Sequence, residues 1–215
     1  MTYQRECNVI VKQLVVGLLM TNCYIAVCEE TLEGVVVDPG DDAPRILGEI
    51  EANSFQIRYI LNTHAHFDHI GANEILRKQL NAPLALHPLD IPLLMEKGGA
   101  MTFGIDAPQG CVPDLELEEG MVLEFGKRSL QVLLTPGHTP GHVSFYEEEA
   151  KVLFDGDVLF DGGIGRTDLP GGSTAEIMRS IREVLFRLPD ETIVYSGHGN
   201  PTTIGQEKST NPWLS

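Results

Sequence analysis

Four times along this chain a short apolar run stops at a cluster of glycine and metal-competent polar residues. Ile57–Leu61 leads into His64-Ala65-His66-Phe67-Asp68-His69, and Leu130–Leu134 into Thr135-Pro136-Gly137-His138. Val152–Phe154 leads into Asp155-Gly156-Asp157, and Ile193–Tyr195 into Ser196-Gly197-His198-Gly199. Such runs, rich in β-branched and aromatic residues and bounded by Gly or Pro, read as buried strands. A fold that accommodates all four is built on sheets, whose rigid strands position the loops beyond their ends.

The N-terminal third predicts further strands over Asn8–Val16, Cys23–Cys28 and Gly34–Val37, the last running into Asp38-Pro39-Gly40. Helices are interleaved. Thr174–Leu188 carries Ile177, Met178, Ile181, Val184, Leu185 and Leu188 at helical spacing, with Ser173 and Glu176 as a capping box and Pro189 as the stop. Ala43–Ala52, with Pro44 in its first turn, and Ile70–Leu80 are two more. Strands followed by helices suggest sheets covered on their outer faces, an α+β architecture. The 215 residues suit one domain of two halves, with a Gly/Pro-rich divide near 98–110.

Composition excludes some partners. A formal net charge of -16 argues against nucleic acid, which is gripped through cationic contacts to phosphate, and against an anionic membrane surface. No run approaches the roughly 18–20 apolar residues of a membrane span, and no secretory signal is visible. Cys7, Cys23, Cys28 and Cys111 form no C-x-x-C pair and read as reduced, mostly buried thiols, consistent with the cytoplasm.

The histidines carry the chemistry. Of the seven in the chain, His64, His66, His69, His138 and His198 fall in strand-end motifs. Neutral imidazole and carboxylate suit zinc and related divalent ions. His64 and His66 project to one side of an extended segment while Asp68 and His69 lie a turn further on, so one segment can serve two adjacent metal positions. His142 reads as a residue behind the ligands, and His87 is assigned no role.

His64-x-His66-x-Asp68-His69, with His138, Asp157 and His198 downstream and Asp38 after the early strand, resembles the metallo-β-lactamase superfamily over nearly the whole chain. The resemblance implies an αββα sandwich of two mixed sheets flanked by helices, with two divalent metal ions at its edge. His64, His66 and His138 would hold one, Asp68, His69 and His198 the other, and Asp157 would bridge them. Zinc is the first expectation, with iron and manganese as alternatives. Asp68 is also the catalytic candidate, orienting the attacking water. Asp38 is either the acceptor of a ligand histidine's ring N–H or a simple turn-former before Pro39.

Departures narrow the subtype. Asp157 stands where zinc β-lactamases usually carry cysteine, which disfavours antibiotic hydrolysis. His66 stands where oxygen-reducing diiron flavoproteins have glutamate, and the chain is too short for the domain that RNA-processing members insert. Phe160–Gly171 and the tail from Ser196 resemble the short glyoxalase II-like hydroxyacylglutathione hydrolases, although the C-terminal helical domain of the longer enzymes is lacking. In that family Arg166 matches a basic residue that contacts glutathione; the alternative is a surface pair with Asp161 or Asp168. The expected activity is attack of a metal-bridged hydroxide on a thioester carbonyl such as that of S-D-lactoylglutathione. The rivals are a mononuclear iron persulfide dioxygenase, using His64, His138 and Asp157, and a lactonase or other ester hydrolase on the same centre. The partner is thus a small-molecule thioester or ester, and a homodimer is compatible with the sequence.

Overall fold

The computed structural model describes residues 8–107 and 110–214; Cys7 lies outside them. Two six-stranded sheets face each other. The first has the order β1-β2-β3-β4-β5-β6, comprising Val9–Val16, Thr21–Cys28, Glu33–Val37, Gln56–Leu61, Leu84–Leu86 and Leu115–Glu116. Its first three strands are antiparallel and the rest parallel. The second has the order β14-β13-β10-β9-β8-β7, built from β7 (Val122–Phe125), β8 (Arg128–Leu134), β9 (Val143–Glu147), β10 (Val152–Gly156), β13 (Ile193–Ser196) and β14 (Thr202–Thr203). Here β10 and β13 are parallel and the other pairs antiparallel. A small hairpin, β11 (Leu159–Phe160) and β12 (Gly163–Ile164), stands apart.

Both sheets are covered on both faces, and strand β2 shows why. All eight of its residues are buried. Tyr24, Ala26 and Cys28 face Phe125, Val132, Phe145 and Phe154 of the second sheet, while Cys23, Ile25 and Val27 pack outward with helices α1 (Ala43–Ala52) and α3 (Asn73–Leu80) through Ile46, Ile50 and Leu76. The period-two alternation of a strand thus feeds two separate cores. Beyond the second sheet, Leu153 and Val194 pack on Ile177, Ile181, Leu185 and Ile204. The layers are αββα, as expected, and burying each such aliphatic side chain contributes about 1.5–3 kcal/mol.

The chain crosses between the sheets after Glu116, a little beyond the Gly/Pro-rich stretch at 98–110, of which 108 and 109 lie outside the described residues. The expected helix Ile70–Leu80 is realised as α3, starting at Asn73, and a separate single turn before it, α2 (Phe67–Ile70), carries Asp68 and His69. The expected helix Thr174–Leu188 is regular only over α5 (Thr174–Arg179), then widens to a π turn at Ser180–Val184 and tightens at Leu185–Arg187. Ser180, where the widening begins, donates its hydroxyl to the Pro136 carbonyl at 2.7 Å. Ser173 caps α5 by accepting from Glu176 N–H. Two further helices are α4 (Ile91–Met95) and α6 (Ile204–Thr210). No described helix is long and apolar enough to cross a membrane. Cys23 and Cys28 are buried and Cys111 is half-buried.

Candidate metal centre

The C-terminal ends of β3, β4, β8, β10 and β13 open at one edge of the sandwich, and the loops beyond them bring the nominated residues together. His64, His66 and His138 offer ring nitrogens within 4.8 Å of one another, and Asp68, His69 and His198 form a second such group. Asp157 lies between the two. Its Oδ2 is 3.5 Å from His138 Nε2 and 3.7 Å from His198 Nε2, and its Oδ1 is 3.6 Å from His69 Nε2. Asp38, His64 and His69 form a third group of this kind, but Asp38 is already engaged. Thr63 donates its backbone N–H to Oδ1 at 2.8 Å and its hydroxyl to Oδ2 at 2.7 Å, and His69 Nδ1 lies 3.1 Å from Oδ2. Asp38, at φ 50°, is therefore both turn-former and partner of a site histidine.

Hydrogen-bond logic fixes which ring nitrogens are free. Thr63 spends its proton on Asp38, so its oxygen accepts from His64 Nδ1 at 3.0 Å and His64 Nε2 keeps a lone pair. His138 Nδ1 donates to the Arg166 carbonyl at 2.8 Å, which turns Nε2 toward the cluster, 2.8 Å from His66 Nδ1. His142, by contrast, is satisfied at both nitrogens. Its Nε2 accepts from Asp157 N–H at 3.1 Å and its Nδ1 pairs with the Thr135 hydroxyl, from which hydroxyl contacts continue through Ser144 to Asp155. His142 thus stands behind Asp157 rather than in the cluster, and His87 merely caps the turn before Leu89.

The residues fit a divalent metal pair. Buried His64 Nε2, His69 Nε2 and Asp157 Oδ1 have no hydrogen-bond partner, a costly arrangement unless something else fills the space. Burial pushes His64 down and His66 down to about 3, keeping both in the neutral, ligating form. Burial also opposes charge on His69, but Asp68, Asp157 and Asp38 outweigh it and push the ring up to about 10. Three carboxylates converging on one ring demand positive charge, which divalent ions would supply. The Asp68 carboxyl is disfavoured as an anion by burial, yet His69, His198 and the Thr21 hydroxyl hold it well below the usual range. Gly197 keeps the space open: a Cβ there would lie 2.2 Å from Asp157 Oδ1 and 2.7 Å from His69 Cε1.

Several supporting residues carry no motif. Asp90, fully buried, accepts from Ala65 N–H at 3.0 Å, Thr139 hydroxyl at 2.7 Å and Gly141 N–H at 2.7 Å. It ties the loop of His64 and His66 to that of His138. Thr21 donates to Asp68 Oδ2 at 2.9 Å. Asn22 donates to the Ser196 and Gly199 carbonyls at 2.9 and 3.0 Å, fixing both flanks of His198, and Tyr24 OH reaches the same Ser196 carbonyl. The only advance signal for these was their position beside strand ends.

Above the cluster lies a cavity of about 740 Å³, whose lining includes Asp68, Asp157, Phe67, Phe103 and Arg166. Arg166 is exposed and makes a two-point pair with Asp168, 2.8 Å at each contact. It therefore forms the anticipated surface pair and reaches the cavity as well.

The sequence pattern of the metallo-β-lactamase superfamily matches residues 16–198. The chain belongs to that superfamily. The hydroxyacylglutathione hydrolase GloC of Haemophilus influenzae is 39% identical over 197 residues, covering 90% of this chain and 92% of that protein. The human mitochondrial persulfide dioxygenase ETHE1 is 29% identical over 212 residues, covering 96% and 76%. Among solved structures, BLEG-1, described as a B3 metallo-β-lactamase, is 40% identical with a TM-score of 0.90, covering 96% of this chain and all (100%) of that one. TTHA1623, solved in a di-iron-bound form, is 42% identical with a TM-score of 0.87, covering 95% and 100%.

Proposed function

We propose that this protein is a binuclear metal-dependent hydrolase of thioesters, with S-D-lactoylglutathione as the first substrate to test. The observation that carries the reading is the pair of complete ligand triads with Asp157 between them. His64, His66 and His138 would hold one ion, Asp68, His69 and His198 the other, and Asp157 would face both. Zinc suits this ligand set; iron, present in the TTHA1623 structure, is the main alternative. Bound there, two divalent ions would lower the pKa of a shared water and polarise the substrate carbonyl.

The chain's own residues supply the rest. Asp68 makes its contacts to Thr21 and His198 through Oδ2, which leaves Oδ1 to accept a hydrogen bond from the attacking water and orient it. Hydrolysis forms a C–O bond, breaks the C–S bond and releases a carboxylate and a thiolate, with the two protons of the water passing to solvent. Thiolate leaves without being protonated, so the reaction needs no separate acid. Arg166 borders the cavity where a carboxylate of the thiol half could pair with it. The likeness to GloC supports the thioester assignment.

A second reading, persulfide dioxygenase on a single iron, draws support from the likeness to ETHE1 and from His138, which lies 3.5 Å from Asp157 and within 4.8 Å of His64. Metal analysis paired with thioester loss and oxygen uptake separates the two. Two metals per chain with hydrolysis of S-D-lactoylglutathione is the expected result. One iron, no thioester loss and oxygen uptake with glutathione persulfide overturns the hydrolase.

A further inference from the structure

The cavity has two unlike arms. On one side Arg166, paired with Asp168, stands with Phe160, Asp161, Ile164 and Leu169. On the other, Leu19, Phe67 and Ile105 belong both to the main cavity and to an adjoining groove of about 260 Å³, which runs past Asp68 toward Val16, Leu18 and Ala107. The described residues lining this groove include no lysine or arginine. They do include Asp41 and Asp106, the latter paired with Lys97 at 2.9 Å.

Charge and polarity therefore sort a thioester by its ends. A carboxylate-bearing thiol half belongs at Arg166, the one lysine or arginine among the described residues lining cavity or groove, whose exposed pair with Asp168 is weak enough to be exchanged; the opposite arm offers only aspartate and hydrocarbon. That arm suits an uncharged apolar group. Leu19 and Phe103, the latter with its ring centroid 5.8 Å from that of Phe67 at the mouth of this arm, are 47% and 46% exposed, so a chain laid against them buries side chains that water now covers.

Resting on the hydrolase reading, we infer that the preferred substrates are thioesters with an apolar acyl chain in the Leu19–Phe67–Ile105 arm, longer than a lactoyl group, and with the thiol half at Arg166. Lactoyl, short and hydroxylated, would leave that arm to water. Apolar binding energy realised in the transition state raises kcat/KM, and each methylene that the arm buries is worth about fourfold.

The test is an acylglutathione series of acetyl, butyryl and hexanoyl thioesters, with D-lactoyl as the reference, assayed on the metal-loaded full chain by thioester absorbance. The thiol half stays constant, so only the acyl arm is read. The expected result is kcat/KM rising about fourfold per methylene and exceeding the D-lactoyl value by hexanoyl. Leu19→Ala and Phe103→Ala should each flatten the rise. The slope is a ratio within one preparation, so partial unfolding of a variant does not imitate its loss. Turnover with no dependence on chain length, or a rise that survives both variants, overturns this inference and leaves the hydrolase intact. No turnover of any member overturns both.

Discussion

Asp90→Ala probes the support of the site rather than its ligands. The substitution removes the acceptor for Ala65 N–H, Thr139 hydroxyl and Gly141 N–H in a place fully shielded from water. Each buried donor left unpaired costs roughly 1–3 kcal/mol, so three give at least about 3 kcal/mol even at the low end. For a chain of this size that corresponds to a drop of about 6–12 °C in the melting temperature of the chelated protein. The loss falls on the metal centre as well, because Ala65 lies between His64 and His66 and Thr139 follows His138. Partners that orient ligands in this way typically carry about 10–100-fold in metal affinity. Asp90→Asn keeps the shape but turns an amide NH2 toward one set of donors, so it should fall between wild type and Ala. The assays are thermal melting after chelation and competition with a chromophoric chelator. A variant melting within about 2 °C of wild type with unchanged metal affinity would refute the reasoning, since the three donors would then have found other partners.

Two further outcomes follow from the centre. Asp157→Ala removes the carboxylate facing both triads, and should lower bound metal below two per chain and thioester hydrolysis by about a thousandfold; a fully metallated, active variant disproves the bridging role. Thr21→Val removes the hydroxyl on Asp68 Oδ2 at nearly constant shape, and should lower metal affinity about tenfold and kcat with it; unaltered metal affinity and kcat show that Asp68 needs no such anchor.

The parts of this molecule legible in its sequence are those whose chemistry is local. Strands β4, β8, β10 and β13 announce themselves as apolar runs because both faces of each sheet are covered, and each run ends at the residue that breaks it. The histidines announce themselves because two of them, His64 and His66, sit with Asp68 and His69 inside six residues. Helix α1 falls on its expected bounds because Pro44 and the spacing of Ile46 and Ile50 are both local signals. The helix from Thr174 is the instructive departure: its apolar spacing is correct, yet a hydroxyl bond from Ser180 to Pro136, 44 residues away, accompanies a π turn that no periodicity encodes.

What stayed hidden was the second tier of contacts, and its concealment has a physical cause. Asp90 is a single aspartate after His87-Pro88-Leu89, in a sequence that carries 31 acidic residues; nothing local separates it from a solvated one. Its importance arises only when β5 runs parallel to β4 and delivers it beneath Ala65. Asn22 and Gly197 are similar. Asn22 reads as a strand residue until its side chain is seen holding the Ser196 carbonyl, 174 positions distant. Gly197 reads as a turn glycine, but its backbone is clamped between Gly156 O and Asn22 N at 2.7 Å each, where any side chain would meet Asp157. A metal ligand is recognisable from its own atoms. A residue that positions a ligand is defined by whatever the fold places opposite it, so it becomes visible only after the sheets have been paired.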